Sequence, residues 1–451
     1  MARETVTAVI LAAGKGTRMK SRLPKVLHKI AGRPMIGHVL SSVGEMPNAR
    51  SVLVIGPDMD GVAAYAKEVA PGTGIAIQKE QLGTAHAASM AKSEISDREG
   101  VVLVIFGDTP LMRPETLSAM ADACRAGADI VVLGFRPADP AAYGRLVLDR
   151  DGTLQKIVEF KDASADEKAI TLCNGGAMAV SAAHLFELLS KVGNDNAAGE
   201  YYLPDIVGLA RAEGLDCRVL EGEEEEVQGV NSRADLAAAE AVMQHRLRQK
   251  AMAGGATLAD PATTYFSFDT VLGQDVTVGQ NVVFGPGVRV ADNVTIKPFS
   301  HLEGATVASG AQVGPFARIR PGSSIGADAK IGNFVETKKA TIEEGAKVSH
   351  LSYIGDARVG AHANIGAGTI TCNYDGYGKY FTDIGAGAFV GSNSALVAPV
   401  KIGDGAYLGS GSVITEDVEP DALAIGRGRQ VAKAGWAAAF RAKHEGKSKK
   451  D

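Results

Sequence analysis

Cysteine is scarce in this chain: Cys124, Cys173, Cys217 and Cys372 are the only four among 451 residues. They lie without the close pairing that a zinc site or a disulfide framework needs, which argues against both and points to a reducing cytoplasm. Positive charge is not in excess either, with 47 Lys and Arg against 52 Asp and Glu and a formal net charge of -5. No global basic field exists to hold a polyanion, so nucleic acid is not expected as a partner. No stretch approaches the roughly 18 apolar residues that cross a bilayer, and no basic region precedes an apolar run at the N-terminus, so neither a membrane span nor an export signal is read. Aromatic residues are few, with one Trp, ten Tyr and thirteen Phe, whereas glycine numbers 54. Against a usual glycine share of about 7%, that imbalance signals a glycine-rich repeat. The remaining composition, 45% hydrophobic and 22% charged, is that of a folded protein of two or three domains and excludes a disordered tail or a fibre.

The order of patterns divides the chain. In residues 1–231 short apolar runs (Val6 to Leu11, Ser51 to Ile55, Val101 to Phe106, Ile130 to Phe135) alternate with helix-length amphipathic segments. This predicts an α/β domain with a Rossmann-like, mixed but mostly parallel sheet, whose ligands gather at the carboxyl ends of the strands. Residues 232–253 read as one helix, opened by Ser232 three positions before Asp235 and closed by a Gly-Gly pair, a strut between two domains. In residues 254–432 the period becomes six, with aliphatic or aromatic residues at Val278, Phe284, Val290, Ile296 and Leu302, again at Val313, Ile319, Ile325 and Ile331, and again from Ile384 to Ile414. A helix of 3.6 residues per turn cannot keep that period on one face, whereas a parallel β-helix of short strands can. Such coils resemble the left-handed β-helix family of hexapeptide repeats, whose members pack as trimers and bind acyl-CoA in clefts between subunits. Residues 433–451, rich in Lys, Arg and Ala around Trp436, read as a solvated, partly disordered tail.

Two constellations carry chemistry. After the first strand comes Leu11-Ala12-Ala13-Gly14-Lys15-Gly16-Thr17-Arg18-Met19, with Leu23-Pro24-Lys25 beyond it. A glycine-rich turn lets backbone N–H groups approach phosphate or base, and Arg18 and Lys25 supply charge for a triphosphate. Neither the P-loop spacing nor the third glycine of the dinucleotide fingerprint is present, which argues against hydride transfer. The segment resembles the signature of sugar-phosphate nucleotidyltransferases. Further pieces of that signature follow in order: Gln78, Gly83 and Thr84 in a loop that would read uracil, Phe106-Gly107-Asp108 at a strand end, then Gly144, Glu159, Asn174 and Asn231. The resemblance implies that Asp108 and Asn231 hold Mg²⁺, that Lys25 and Arg18 clamp the phosphates of UTP, and that Gly144, Glu159 and Asn174 hold the sugar. Attack of a sugar 1-phosphate on a nucleoside triphosphate joins two polyanions, and hard oxygen ligands, a metal and cations suit that chemistry. The run Glu223 to Glu226 reads instead as a solvated loop.

The second constellation interrupts the repeat: Arg318-Ile319-Arg320-Pro321-Gly322, Asn333 to Lys339, His350 to Asp356, and Asn364 to Gly376 concentrate polar residues in a few coils. A scaffold has no use for them. Arg320 and Lys338 suit a phosphate, and imidazole is the side chain that takes a proton from an amine at neutral pH, which makes His350 the candidate base. These runs resemble the acetyltransferase half of the bifunctional N-acetylglucosamine-1-phosphate uridyltransferase and glucosamine-1-phosphate N-acetyltransferase family, and the resemblance covers nearly the whole chain. It implies that Arg320, Lys338, Tyr353 and Asn364 bind glucosamine 1-phosphate, and that Ala367, Asn373, Tyr374, Ser392, Ser410 and Arg427 line an acetyl-CoA groove, with Lys379 assisting the coenzyme. Position 410 is Ser where relatives commonly have Ala. The expectation is therefore a homotrimeric enzyme that acetylates glucosamine 1-phosphate and then transfers UMP from UTP to N-acetylglucosamine 1-phosphate, for peptidoglycan and lipopolysaccharide supply. The alternative is a single-function nucleotidyltransferase whose β-helix serves only to make trimers.

Overall fold

A computed structural model describes residues 5–95 and 99–445. The chain divides into two compact units, Met1–Leu247 and Arg248–Asp451. The boundary falls inside one continuous helix, Arg233–Ala253. The helix begins where the capping pattern places it: the Asp235 N–H donates to Ser232 Oγ (3.2 Å) while the Ser232 N–H donates to Asp235 Oδ2 (2.8 Å).

In the first unit the apolar runs become the central strands of one sheet, in the order Cys217–Glu221, Ile130–Phe135, Cys173–Ser181, Val101–Phe106, Val6–Leu11, Ala49–Ile55, Gly74–Ile77. Only Cys173–Ser181 runs antiparallel to its neighbours along this path. A hairpin of Arg145–Leu148 and Leu154–Val158 hangs from its start. Residues of alternate parity fill two cores, one on each face: Ala8, Ile10, Leu53 and Leu103 on one, Val9, Leu11, Val52 and Val104 on the other. Burial on both faces is why these strands read as unbroken apolar runs. Register then fixes where the site forms. Leu11 lies opposite both Val54 and Phe106, so the Ala12-to-Met19 turn and the Gly107-to-Leu111 turn leave the sheet side by side.

The second unit is a parallel β-helix. Most of the short strands pair in parallel with one 17 or 18 residues away, as in Thr277 with Thr295, Thr295 with Gln312 and Gln312 with Lys330. Every aliphatic of the six-residue period points inward: Val278, Ile296, Leu302, Ile319, Ile384 and Leu408 are wholly buried. Each contributes roughly 1.5–3 kcal/mol by leaving water. The largest departure from the spacing is the coil in which Asn364 pairs with Phe389, 25 residues on, and the added residues form an exposed loop around Tyr374 to Tyr380. The expected tail differs from the structure in part. Trp436–His444 is a helix with no buried residue, its aromatic rings Trp436 and Phe440 stacked at 5.1 Å, because an Ala-rich run with Arg and Lys in its last turn satisfies its own backbone. Residues 446–451 of that expectation lie outside the described residues.

Stacked coils leave no room beside certain backbones. A Cβ on Gly332 would come within 1.8 Å of the Ser349 carbonyl oxygen on the next coil. Gly332→Ala is expected to destabilise the β-helix by about 1–3 kcal/mol and, by shifting the adjoining Asn333, to abolish the chemistry of that unit. Differential scanning calorimetry should find its transition lowered and that of the first unit unmoved.

Candidate active sites

Loops at the carboxyl ends of the parallel strands enclose the first site. Leu11, Ala12, Ala13, Gly14, Lys25, Gln78, Gly83, Thr84, Phe106 and Asp108 line one cavity of about 330 Å³. A second of about 370 Å³ adjoins it, sharing Thr84 and Phe106 and adding Glu159 and Asn174. Gly144 closes that side: a Cβ there would lie 3.4 Å from Glu159 Oε1, and its carbonyl accepts the Asn174 N–H (2.9 Å). Gly107 does not line either cavity, but its N–H donates to the Leu11 carbonyl (2.9 Å) and joins the two turns. Arg18 stands apart, exposed on the short turn Thr17–Met19. Gly83 has a φ of 122° and a Cβ on it would lie 2.4 Å from the Tyr201 carbonyl oxygen, so only glycine lets residues 82–85 pack beneath Tyr201. That strap is fastened by the Leu203 N–H to Thr84 Oγ1 (2.9 Å) and the Tyr201 N–H to the Leu82 carbonyl (2.8 Å).

At the mouth of the first cavity Lys25 Nζ is hydrogen-bonded to Asp108 Oδ2 and lies 3.0 Å from Asn231 Oδ1. The pair of oxygens is assembled across 123 residues of sequence by backbone bonds: the Val230 N–H donates to the Asp108 carbonyl (2.9 Å), and the Asn231 N–H to Asp235 Oδ2 (2.9 Å). Burial works against charge on Asp235, but the N–H groups of Asn231 and Ser232 outweigh it and hold that carboxyl below its ordinary range. Glu226 corrects the expectation of a solvated acidic loop. Glu224–Glu226 is a helical turn, Glu226 is 3% exposed, and its Oε2 accepts the Arg113 N–H (3.1 Å). Arg246 donates to the Leu111 carbonyl (2.6 Å) close by. A buried carboxylate beside two guanidinium groups therefore ties the Asp108 loop to the segment that carries Asn231, which four exposed carboxylates would not do.

In the β-helix the expected residues fall into two groups. His350 lies opposite Asn333 in register, and its Nδ1 is 2.7 Å from Asn333 Oδ1. With that carbonyl oxygen accepting, the proton sits on Nδ1 and Nε2 is the basic nitrogen. The same corner repeats coil upon coil: the Gly368 N–H donates to the His350 carbonyl (3.3 Å), the Asn393 N–H to Ala367 (2.7 Å) and the Gly411 N–H to Ser392 (2.7 Å), while Arg427 bonds the Ser410 carbonyl. His350, Ala367, Ser392, Ser410 and Arg427 thus form one exposed or half-exposed column. On the neighbouring face Arg320 pairs with Glu336 (2.6 Å), which lies opposite Tyr353. Lys379 sits against Lys338 on that face. The close contact with Lys379, then the Lys379 and Arg320 charges, push the Lys338 amine below its ordinary value. Asn373 donates to Asp356 Oδ2 (2.5 Å) and Tyr374 is exposed on the extra loop. Asn364 sits on the coil next to the His350 strand, opposite Lys347.

A MobA-like NTP transferase domain matches residues 8–171, and bacterial transferase hexapeptide repeats match residues 269–304 and 381–416. The bifunctional protein GlmU of Parvibaculum lavamentivorans is 66% identical to this chain, over 98% of each. That of Rhodospirillum rubrum is 60% identical over 96% of this chain and 97% of its own, and that of Paramagnetospirillum magneticum 56% identical over the full length of both. The chain belongs to the bifunctional GlmU family. It is a bifunctional enzyme, a uridyltransferase and an acetyltransferase, and the alternative of a β-helix that serves only as scaffold is set aside.

Gln81, in the segment expected to read uracil, lines the first cavity, and Glu200 and Tyr202 are among the cavity residues that sequence reasoning left out. Gln81 donates through Nε2 to the Ala13 carbonyl. A signal for the others exists in the run Glu200-Tyr201-Tyr202, a pair of tyrosines in an aromatic-poor chain. Glu159 is held above its ordinary pKa, first by burial and then by the nearby Asp162 and Asp205. A carboxylate whose folded-state pKa is raised costs the fold stability at pH values above that pKa, and the cost disappears as pH falls below the unfolded value. Glu159→Gln is therefore expected to raise the melting temperature of the uridyltransferase unit by about 1–3 °C at pH 8, to leave it unchanged near pH 4, and to weaken sugar-phosphate binding, as calorimetry and KM would show. Glu226→Gln is expected to lower uridylyl kcat/KM by up to about 100-fold through misplacement of Asn231 with the acetylation rate intact. Equal loss of both rates would mean general unfolding instead.

Proposed function

We propose that the first unit carries out uridylyl transfer to N-acetylglucosamine 1-phosphate and the second acetyl transfer to glucosamine 1-phosphate, each with the residues described above. What supports the assignment is that each unit holds its own set of chemical groups: two oxygens and a cation at a cavity in one, an imidazole oriented by Asn333 and, on the neighbouring face, the cations Arg320, Lys338 and Lys379 in the other. In the uridylyl site a phosphate oxygen of the sugar phosphate attacks the α-phosphorus of UTP, a P–O bond forms, and pyrophosphate leaves. The backbone of Leu11 to Gly14 and the loop of Gln78, Gly83 and Thr84 position the nucleotide, and Gly144, Glu159 and Asn174 hold the sugar through directional hydrogen bonds. The donor set at Asp108 and Asn231, one carboxylate and one amide oxygen converging where an ammonium already sits, fits a hard divalent cation. Bound there, Mg²⁺ would neutralise charge on the phosphates. Arg18, exposed at the rim, would meet the outer phosphates.

In the acetyl site His350 Nε2 takes the proton from the amine of glucosamine 1-phosphate as its nitrogen attacks the thioester carbonyl of acetyl-CoA, and the coenzyme thiolate leaves. Arg320, Lys338 and Lys379 make the seat for the sugar phosphate, with Tyr353 and Asn364 beside it. The column Ala367, Ser392, Ser410 and Arg427, with Asn373 and Tyr374, runs along the pantetheine arm, and Arg427 meets the coenzyme phosphates. The working form is a homotrimer. Phe299, Phe316, Phe334 and Leu351 are 45–61% exposed on successive coils, the rings stacked at 4.9 and 5.1 Å, and this apolar ladder ends at the residue after His350. A second copy of the chain that covers it would wall the acetyl site. The enzyme works in the cytoplasm, in keeping with its scattered cysteines.

The two activities are expected to separate. Asp108→Ala should abolish pyrophosphate release and leave coenzyme A release intact, and His350→Ala should cut acetylation by about 10²–10⁴-fold while pyrophosphate release from added N-acetylglucosamine 1-phosphate persists. Loss of both rates in either folded variant would sink the assignment.

A further inference from the structure

Of the two cations assigned to the triphosphate, Arg18 is exposed on its turn, whereas Lys25 is engaged by the pair of oxygens assigned to the metal. Its Nζ is bonded to Asp108 Oδ2 and lies 3.0 Å from Asn231 Oδ1, with 12% and 19% of the Lys25 and Asp108 side chains exposed. The backbone of the lysine is packed in place. It opens the short turn Lys25–Leu27 behind Pro24, and it is pressed on Gly16, where a Cβ would come 2.6 Å from Lys25 Cβ. Its side chain lines the cavity shared with Ala13 and Gly14, which gives the ammonium open space to turn into.

Two cations do not share one carboxylate oxygen at contact distance in a half-buried site, because their repulsion is screened there far less than in water. We propose that Lys25 and the divalent cation occupy the same seat in turn. The ammonium holds Asp108 and Asn231 together in the resting enzyme, gives up both oxygens when the cation arrives, and swings into the cavity to meet the triphosphate. The lysine thus keeps an otherwise uncompensated carboxylate in place, and arrival of the metal is what delivers the phosphate clamp. This inference rests on the uridylyl reading of the site and specifies the order in which its groups act.

The consequence is opposite in sign for binding and for turnover, so binding of a metal without nucleotide is the test. Full-length protein is titrated with Mn²⁺ in the absence of UTP, and free Mn²⁺ is read by electron paramagnetic resonance. Lys25→Met is expected to bind Mn²⁺ at least about tenfold more tightly than the unmodified enzyme, and to gain more in melting temperature from Mn²⁺, although it loses uridylyl transfer. Lys25→Gln provides a second neutral variant, and Lys25→Arg, still cationic, should stay within about twofold of the unmodified enzyme. Asp108→Asn should lose Mn²⁺ binding in either background. Equal or weaker Mn²⁺ binding in both neutral variants, with Asp108 still required, would overturn the exchange and leave the metal site standing. Binding that survives Asp108→Asn everywhere would overturn the metal assignment itself.

Discussion

The uridylyl site depends on one backbone hydrogen bond, from the Val230 N–H to the Asp108 carbonyl. It joins the turn after a central strand to the segment that precedes the long helix, and without it the carboxylate and the amide that meet Lys25 would have no common address. Everything around that bond reinforces it. Asp235 gathers the Asn231 and Ser232 N–H groups at the helix start, and Glu226 holds the Arg113 N–H at the other end of the segment. Such a bond contributes only about 1 kcal/mol to stability, yet it decides whether two hard oxygens converge. Catalytic groups placed by a lattice of this kind tolerate little displacement.

The β-helix obeys a different constraint. Its coils stack in register, so residues one coil apart, 17 or 18 positions in most coils and 25 in the longest, share a column whatever their neighbours in sequence. His350, Ala367, Ser392, Ser410 and Arg427 are far apart in the chain and adjacent in space for that reason. The longer coil between Asn364 and Phe389 is where the repeat yields to chemistry, and its added loop brings Lys379 to Lys338. Like charges at that distance depress the lysine amine, a cost that a scaffold would have no reason to bear and that a bound phosphate would reverse.

Much of this was legible in the residues alone. Val6–Leu11, Val101–Phe106 and Ile130–Phe135 are strands with the bounds their apolar runs predict, the Ser232 cap opens the long helix, and the inward aliphatics of the six-residue period are buried. What escaped were elements whose signal is weak or non-local. The hairpin Arg145–Leu148 with Leu154–Val158 mixes exposed and buried positions, and the antiparallel Cys173–Ser181 is rich in glycine and alanine. Glu226 looked like one of four solvated carboxylates because nothing local distinguishes it, and the guanidinium groups that bury it come from Arg113 and Arg246. Tyr202 and Glu200 reach the cavity of Glu159 and Asn174 through a segment that Gly83 lets pack over the loop beneath it.

By itself the sequence determined the strongly periodic elements, the buried central strands, the long helix and the six-residue coils, since periodicity of side chains follows directly from backbone geometry, and it determined which residue types were available for phosphate, metal and amine chemistry. The tertiary structure alone decided their partnerships. That Lys25 rests on Asp108 and Asn231, that Lys379 belongs with Lys338 and that Glu226 is interior are facts of distance between groups tens to hundreds of residues apart, and distance of that kind is set by packing and register, which no local pattern encodes.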